Sequence, residues 1–303
     1  MKDKITIGID IGGTKTKIGY LDDKQTIQVV GQISTSQDPN QAVKNIVSLI
    51  REANLLGSIE KIGIACPGPL NQKSGLVLSP PNLQKWKRFP IVDLLKKEFN
   101  VPVALDNDAN AGALGEAVYG SASNANTVLY VTISTGIGAG IVINKKIHAG
   151  FKGLAGEIWC FPPQLFGAKT DKWNITDLSS GNGLVQVAEE KIKNGKIKLD
   201  ANKLTTHMIV DAFYRNENWA VVLIEQARRI LNAILVFSSC LLAPDVIVLG
   251  GGLTNDNEIF VNPLKTMFNS TMPLEDLKKT PILSSELKND NVLYGTMAMI
   301  YKK

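Results

Sequence analysis

Between Val103 and Glu116 an apolar run breaks into Asp106, Asn107, Asp108 and Asn110, then at once into small helix formers. That break is the pattern of a buried strand ending where a helix begins, which is where ligands bind in α/β proteins. Capping the helix and satisfying the turn account for one or two of these four side chains. Each of the others costs burial energy unless it finds a partner. A carboxylate is left over, and Asp108 is read as a general base.

Two glycine-rich turns add a second kind of chemistry. Ile5 to Asp10 is β-rich, turns through Gly12, Gly13, Thr14 and Lys15, and returns as Ile18 to Leu21. Thr127 to Ile133 does the same through Ser134, Thr135 and Gly136 to Gly140, and returns as Ile141 to Ile143. Glycine turns of this kind are common for structural reasons alone. They also present backbone N–H groups that no side chain covers, and such concave donors bind phosphate oxygens. A pair of them could hold a polyphosphate from both sides. The first is not a Walker A loop, because its spacing differs and it joins two strands. Asp10 ends an otherwise apolar strand, a costly place for a charge unless a cation or donors meet it, or unless it caps its own turn. Magnesium travelling with a nucleotide is the natural cation. Lys15 is either solvated or neutralises phosphate charge.

The remaining elements must position these groups. A strand from Ile27 to Ser34 leads to a helix with Val43, Ile46, Val47 and Ile50 on one face. Lys61 to Ala65 is a buried strand ending in Cys66, Pro67, Gly68 and Pro69; Ser79 to Phe89, with Asn82, is a loop; Ile91 to Phe99 is a short helix. Composition turns small and polar around Gly120 to Asn124, which marks a domain joint, and the second turn then repeats the architecture of the first. Gly150 to Asp177 reads as a long ordered loop. Three helices follow, the clearest burying Leu223, Ile224, Ala227, Ile230, Leu231, Ile234 and Leu235. A core strand to Leu249 delivers Gly250, Gly251 and Gly252; a helix near Val261 to Phe268, a strand near Pro281 to Leu283 and a helix from Val292 to Tyr301 complete the chain. The expected domains are 1–119, joined by the last helix at about 290–303, and 120–289.

The chain has 303 residues, which suits two domains, and an excess of five positive charges without a long basic block. Nucleic acid is therefore not expected as a partner, and an anionic substrate is not repelled. Cys66, Cys160 and Cys240 lie far apart without a Cys-x-x-Cys spacing, so neither a disulfide framework nor a local zinc site is indicated. No apolar signal segment opens the sequence, and the longest apolar region, Ile230 to Ala243, is too short for a bilayer and reads as the buried half of a core helix. A soluble, cytoplasmic protein without a membrane partner is expected.

Five segments in order, Asp10 to Lys15, Asn107 to Ala111, Ser134 to Gly140, Leu154 to Glu157 and Leu249 to Leu253, resemble the motifs of the ROK family of bacterial sugar kinases and sugar-responsive repressors. The resemblance covers essentially the whole chain. It implies the two-domain actin-like, ribonuclease H-like ATPase fold of α/β class, with a cleft between domains, ATP and Mg2+ held by the two turns, and sugar beneath. It further implies that Asp108 takes the proton of the attacking hydroxyl and that Asn107 holds a neighbouring hydroxyl. Glu157 matches the family's sugar-binding glutamate, and Asn82 and Gly68 lie in loops that line the sugar pocket. Gly251 and Gly252 let adenosine approach the backbone. His148 and His207 match no functional position. A hexose kinase acting on the 6-hydroxyl, glucose first, is the expectation. Kinases for N-acetylmannosamine, fructose, allose or a β-glucoside are alternatives. So is a sugar-sensing protein, although the first strand begins at Ile5, without the repressors' DNA-binding domain ahead of it. A homodimer is compatible with the helices.

Typical members follow the glutamate with Ile-Gly-His and a zinc-binding cysteine cluster. Here Ile158, Trp159 and Cys160 follow Glu157, and no cysteine cluster comes after them. Aligning Leu178 to Gly181 with the family's Leu-x-Ser-Gly places Thr176 at a second sugar-binding glutamate, beside Asp177. The resemblance thus implies a pocket rebuilt without structural zinc, with Trp159 and Trp173 packing the loop in the metal's place or one of them stacking on a sugar.

Overall fold

The computed structural model describes residues 4–167, 172–197, 199 and 203–299. Strand β1 (Ile5–Ile11) turns back as β2 (Lys15–Leu21), antiparallel with Ile9 opposite Ile18 and Asp10 opposite Lys17. Strand β3 (Ile27–Ser34) extends the meander. Helix α1 (Pro39–Glu52) starts where Asp38 accepts the N–H of Asn40 at 2.9 Å, and buries Ala42, Ile46, Val47 and Ile50. Strand β4 (Ile59–Ala65) runs parallel to β1. After a short hairpin, β5 (Leu70–Asn71) and β6 (Leu76–Val77), come helix α2 (Ile91–Phe99) and strand β7 (Val103–Asp106), parallel to β4. The sheet order is β3-β2-β1-β4-β7. Its isoleucines at 7, 9, 11, 62 and 64 are fully buried, as a sheet covered on both faces requires.

Helix α3 (Asp108–Tyr119) follows β7 at once. Then come β8 (Thr127–Ile133), β9 (Ile137–Ile143), β10 (Lys146–Ile147), α4 (Ile175–Ser179), α5 (Gly181–Lys193), α6 (Thr206–Tyr214) and α7 (Asn218–Leu242). The chain continues with β11 (Val246–Gly250), α8 (Val261–Thr271), α9 (Glu275–Lys278), β12 (Ile282–Ser284) and α10 (Asn291–Ala298). The second sheet has the order β10-β9-β8-β11-β12, with β11 parallel to both β8 and β12. Each sheet thus places its first strand at the centre, with the partner across the glycine turn on one side and a parallel strand on the other. The repeated turn in the sequence reflects this repeated topology.

The chain divides into two compact units, Met1–Asn126 with Gly140–Ala155 and Asn289–Lys303, and Thr127–Ala139 with Gly156–Lys288. In the first, α10 returns to pack on α3 and on the sheet, with Leu293 fully buried and Met297 nearly so. In the second, α7 buries the seven residues expected of it and Ser239 near its end, but its last turns are buried only in part. Phe237 is 47% exposed and Leu241 75%, because there the apolar residues come too close together to share one face. No described helix is long and apolar enough to cross a membrane. The segment from Gly150 to Asp177 is not simply a loop: it carries single 3-10 turns at Phe151–Gly153, Ile158–Cys160 and Pro163–Phe166, then α4, whose Asn174 and Asp177 form a reciprocal cap.

Candidate active site

Parallel pairing brings Asp10, Ala65 and Asp106 abreast at the carboxyl ends of β1, β4 and β7. The four polar side chains after β7 then divide their work. Asp106 turns inward and its Oδ1 accepts the N–H of Asn107 at 2.7 Å, the amide of Asn110 at 2.9 Å and the amide of Gln72 at 3.4 Å. Burial pushes the Asp106 carboxyl up, and these donors oppose the shift. Asn107 caps α3, its Oδ1 accepting the N–H of Ala109 at 2.8 Å. Asp108 is the first residue of α3, half-buried, with Oδ1 accepting the same N–H at 2.9 Å. Asp106 is the structural carboxylate of the set, a role that no local signal assigns to it.

Asp10 lies in the electrostatic reach of Asp108. Burial pushes its carboxyl up to about 7; Asp108 and Asp290 push in the same direction, and Lys17 opposes them. The Cys66 thiol, buried after β4, is driven upward by burial and then by Asp108 and Asp10. Two carboxylates therefore bear on one floor. Lys17 is the cross-strand partner of Asp10 and makes an ion pair with Asp290, the residue that precedes α10. Counting outward from the turn would have found Lys17; Asp290 is too distant in sequence for any local signal.

Around this floor the first glycine turn closes on itself, the N–H of Gly12 bonding to the carbonyl of Lys15 at 2.8 Å. Thr14 and Lys15 are exposed. A side chain on Gly13 would lie 2.8 Å from Cβ of Asn82, so the turn and the Asn82 loop are neighbours. That loop is pinned by fully buried Leu83 and Trp86, whose indole donates to the carbonyl of Ser36 at 3.1 Å. A side chain on Gly68 would reach within 3.5 Å of Nδ2 of Asn107. Asp10, Gly13, Gly68, Asn82, Asn107 and Asp108 thus fall into adjoining pairs within one unit.

The second unit gathers another set. The N–H of Ser134 bonds to the carbonyl of Gly136 at 2.9 Å, and the carbonyl of Ser134 accepts the N–H of Gly181, the first residue of α5, at 2.8 Å. Thr135 is exposed at the tip of this turn, and Thr176 is the nearest neighbour of Gly136. After β11, Gly251 has φ +91 and a side chain there would meet the carbonyl of Ile133 at 2.5 Å, so only glycine fits. A side chain on Gly252 would meet open space. The glycine turn and the Gly251–Gly252 corner therefore lie side by side at the ends of β8 and β11, where a nucleotide could approach the backbone.

Glu157 is half-buried in the same unit, and the indole N–H of Trp159 donates to its Oε2. Cys160 directs its thiol to the carbonyl of Glu157 at 3.0 Å. The expectation that Trp159 packs this loop is corrected: its side chain stands 44% exposed, because its one polar atom is turned to a half-buried carboxylate. Phe161 packs here instead, edge-on to Phe237 at 5.9 Å. Trp173 is half-buried, with the Lys172 ammonium 4.4 Å from its ring centre. His148 and His207 are both exposed.

Among the described residues no group of three or more His, Cys, Asp or Glu side chains is arranged to hold a metal ion. The residues do fit magnesium carried by a polyphosphate. That ion takes one or two carboxylates and completes its shell with water and phosphate oxygens, and a buried Asp10 facing like charge is relieved by a cation.

Together the two sheets and their turns define the two-domain actin-like ATPase fold. A model described as the ROK family matches residues 6–303, and the chain belongs to that family. It is 29% identical to a glucokinase of Halalkalibacterium halodurans over 287 residues, 89% of this chain and 87% of that protein. A ROK family glucokinase from Streptomyces griseus, solved in complex with glucose and AMPPNP, superposes with a TM-score of 0.79 at 25% identity, over 97% of this chain and 98% of that one. A xylose repressor of Caldicellulosiruptor bescii is 28% identical over 79% of this chain and 62% of its own length.

Proposed function

We propose that this ATP-dependent sugar kinase transfers the γ-phosphate of ATP to the 6-hydroxyl of a hexose, glucose first, with Asp108 as general base. The observation that carries this reading is the division of labour after β7. Asp106 and Asn107 satisfy the turn and the helix end, and Asp108 stands at the start of α3 beside Asp10. Asp108 takes the proton of the hydroxyl as its oxygen bonds to the γ-phosphorus and the bond to the β-phosphate oxygen breaks, releasing ADP. Asn107 has its carbonyl oxygen committed to the cap, so its amide N–H groups hold a neighbouring hydroxyl by donation. Glu157, Asn82 and Gly68 complete the sugar contacts. Gly12, Gly13, Thr14 and Lys15 receive phosphate oxygens at one turn, and Thr135 and Gly136 at the other, while Gly251 and Gly252 accommodate the nucleoside. Magnesium held through Asp10 supplies neutralisation of the polyphosphate charge.

The exchange of Gly and His for Trp159 and Cys160, and of glutamate for Thr176, favours a second reading of the substrate: N-acetylmannosamine, fructose, allose or a β-glucoside in place of glucose. The kinship with xylose repressors keeps a sugar-sensing role as the reading from another class. A coupled ADP-release assay with magnesium-ATP against these sugars tests all three. One sugar well above the rest supports the kinase and names its substrate; binding without ADP release points to the sensor.

A further inference from the structure

Resting on the kinase reading, we propose that Trp159 is a specificity-determining residue of the sugar site. Its indole N–H fixes the Glu157 carboxylate, and its open ring takes one C–H face of a pyranose, so that a sugar with an axial hydroxyl on that face is rejected.

The geometry asks for such a partner. Ile158, one residue earlier, is buried to 7% exposure and anchors the turn, whereas Trp159 leaves 44% of its surface in solvent. An indole is among the largest apolar surfaces a side chain can bury, and leaving it open forfeits that gain. Its single donor is spent on Oε2 of Glu157, and the Cys160 thiol ties the Glu157 carbonyl at 3.0 Å. The glutamate is thus held from both its side chain and its backbone. A carboxylate accepts at several positions, so one indole bond leaves capacity for sugar hydroxyls. An apolar plate hydrogen-bonded to an oriented carboxylate is the complement of a pyranose, which offers an apolar C–H face edged by hydroxyl donors. Packing in place of a metal would instead have buried the ring.

Mannose and allose differ from glucose by one axial hydroxyl each, at C2 and C3, and these project from opposite faces of the ring. They therefore probe both faces. kcat and KM are measured for glucose, mannose and allose by coupled ADP release with the wild type, Trp159→Phe and Trp159→Ala, with thermal melting confirming that each variant folds. The wild type is expected to reject at least one of the two epimers. Trp159→Ala should narrow that preference about tenfold, the scale of discrimination by a single small group. Trp159→Phe keeps a ring but loses the N–H; it should preserve the preference while raising KM about tenfold, with kcat little changed. Active enzyme whose sugar preferences stay within twofold of wild type in Trp159→Ala overturns this inference and leaves the kinase reading standing. A wild type that phosphorylates none of the three overturns the assigned activity and this inference with it.

Discussion

A Cβ on Gly295 would stand 1.7 Å from the carbonyl oxygen of Ala111, so α10 and α3 touch backbone to backbone. The reciprocal contact is as close, since a side chain on Gly115 would lie 2.2 Å from the carbonyl of Asn291. Helix α3 begins with Asp108, so this contact fixes the direction in which the proposed base is presented. Gly295→Ala has backbone on the other side and nothing that can yield. Overpacking of this kind costs about 3 kcal/mol, the upper end of its usual range. The urea midpoint should fall accordingly, and kcat with it; an unchanged midpoint would show that the helices are free to separate.

Asp10 gives a pH signature in the protein without nucleotide. Its carboxyl titrates near 3.8 in the unfolded chain and about 7 when folded. The folded state therefore holds its proton more tightly, and stability contributed by the protonated form is lost as pH rises from about 4 to 7. Asp10→Asn should flatten that decline and be more stable than wild type at pH 8, while losing phosphotransfer. Equal slopes of stability against pH in the two proteins would remove Asp10 as the cause.

Lys145 closes the far end of α3. Its ammonium donates to the carbonyls of Ala117 at 2.7 Å, Ser123 at 2.5 Å and Ala125 at 2.9 Å, gathering the helix end and the turn after it. Lys145→Met should cost about 1 kcal/mol, since the ammonium is largely exposed and its bonds compete with water. Chemical denaturation reads this directly, and no change would make the contacts incidental.

A zinc chelator should leave turnover unchanged when magnesium is in excess, because Cys160 bonds to the Glu157 carbonyl and Trp159 to its carboxylate where a metal-tied loop would stand. Loss of activity restored by zinc alone would contradict the rebuilt pocket.

Much of this was legible in the sequence because the signals were local. The hairpin tip at Gly12–Lys15 and the strand through Leu105 follow from side-chain alternation, although only Leu105 of that strand is fully inside, and a helix cap is expected after it without deciding which side chain, Asn107, supplies it. The periodicity of helix α1 points Val43 inward, whereas Ala42 takes the buried place and Val43 lies at the edge of the core. What could not be read was set by distance along the chain. Asp290 reaches Lys17 only because α10 returns to the first sheet, and the role of Asp106 depends on Gln72 and Asn110 arriving beside it. The placement of Trp159 depends on a contact of the same kind: whether an indole packs or projects is decided by what its one N–H finds, here Glu157.

Asp108→Asn isolates the role of Asp108 as base, since the amide keeps the shape and cannot take the proton. With the sugar identified by the ADP-release panel, kcat should fall at least about a hundredfold, the lower end of what loss of a general base costs, while the affinity for magnesium-ATP stays within about twofold of wild type. Near-full turnover by Asp108→Asn would contradict the assignment and return the base to another group of the same floor.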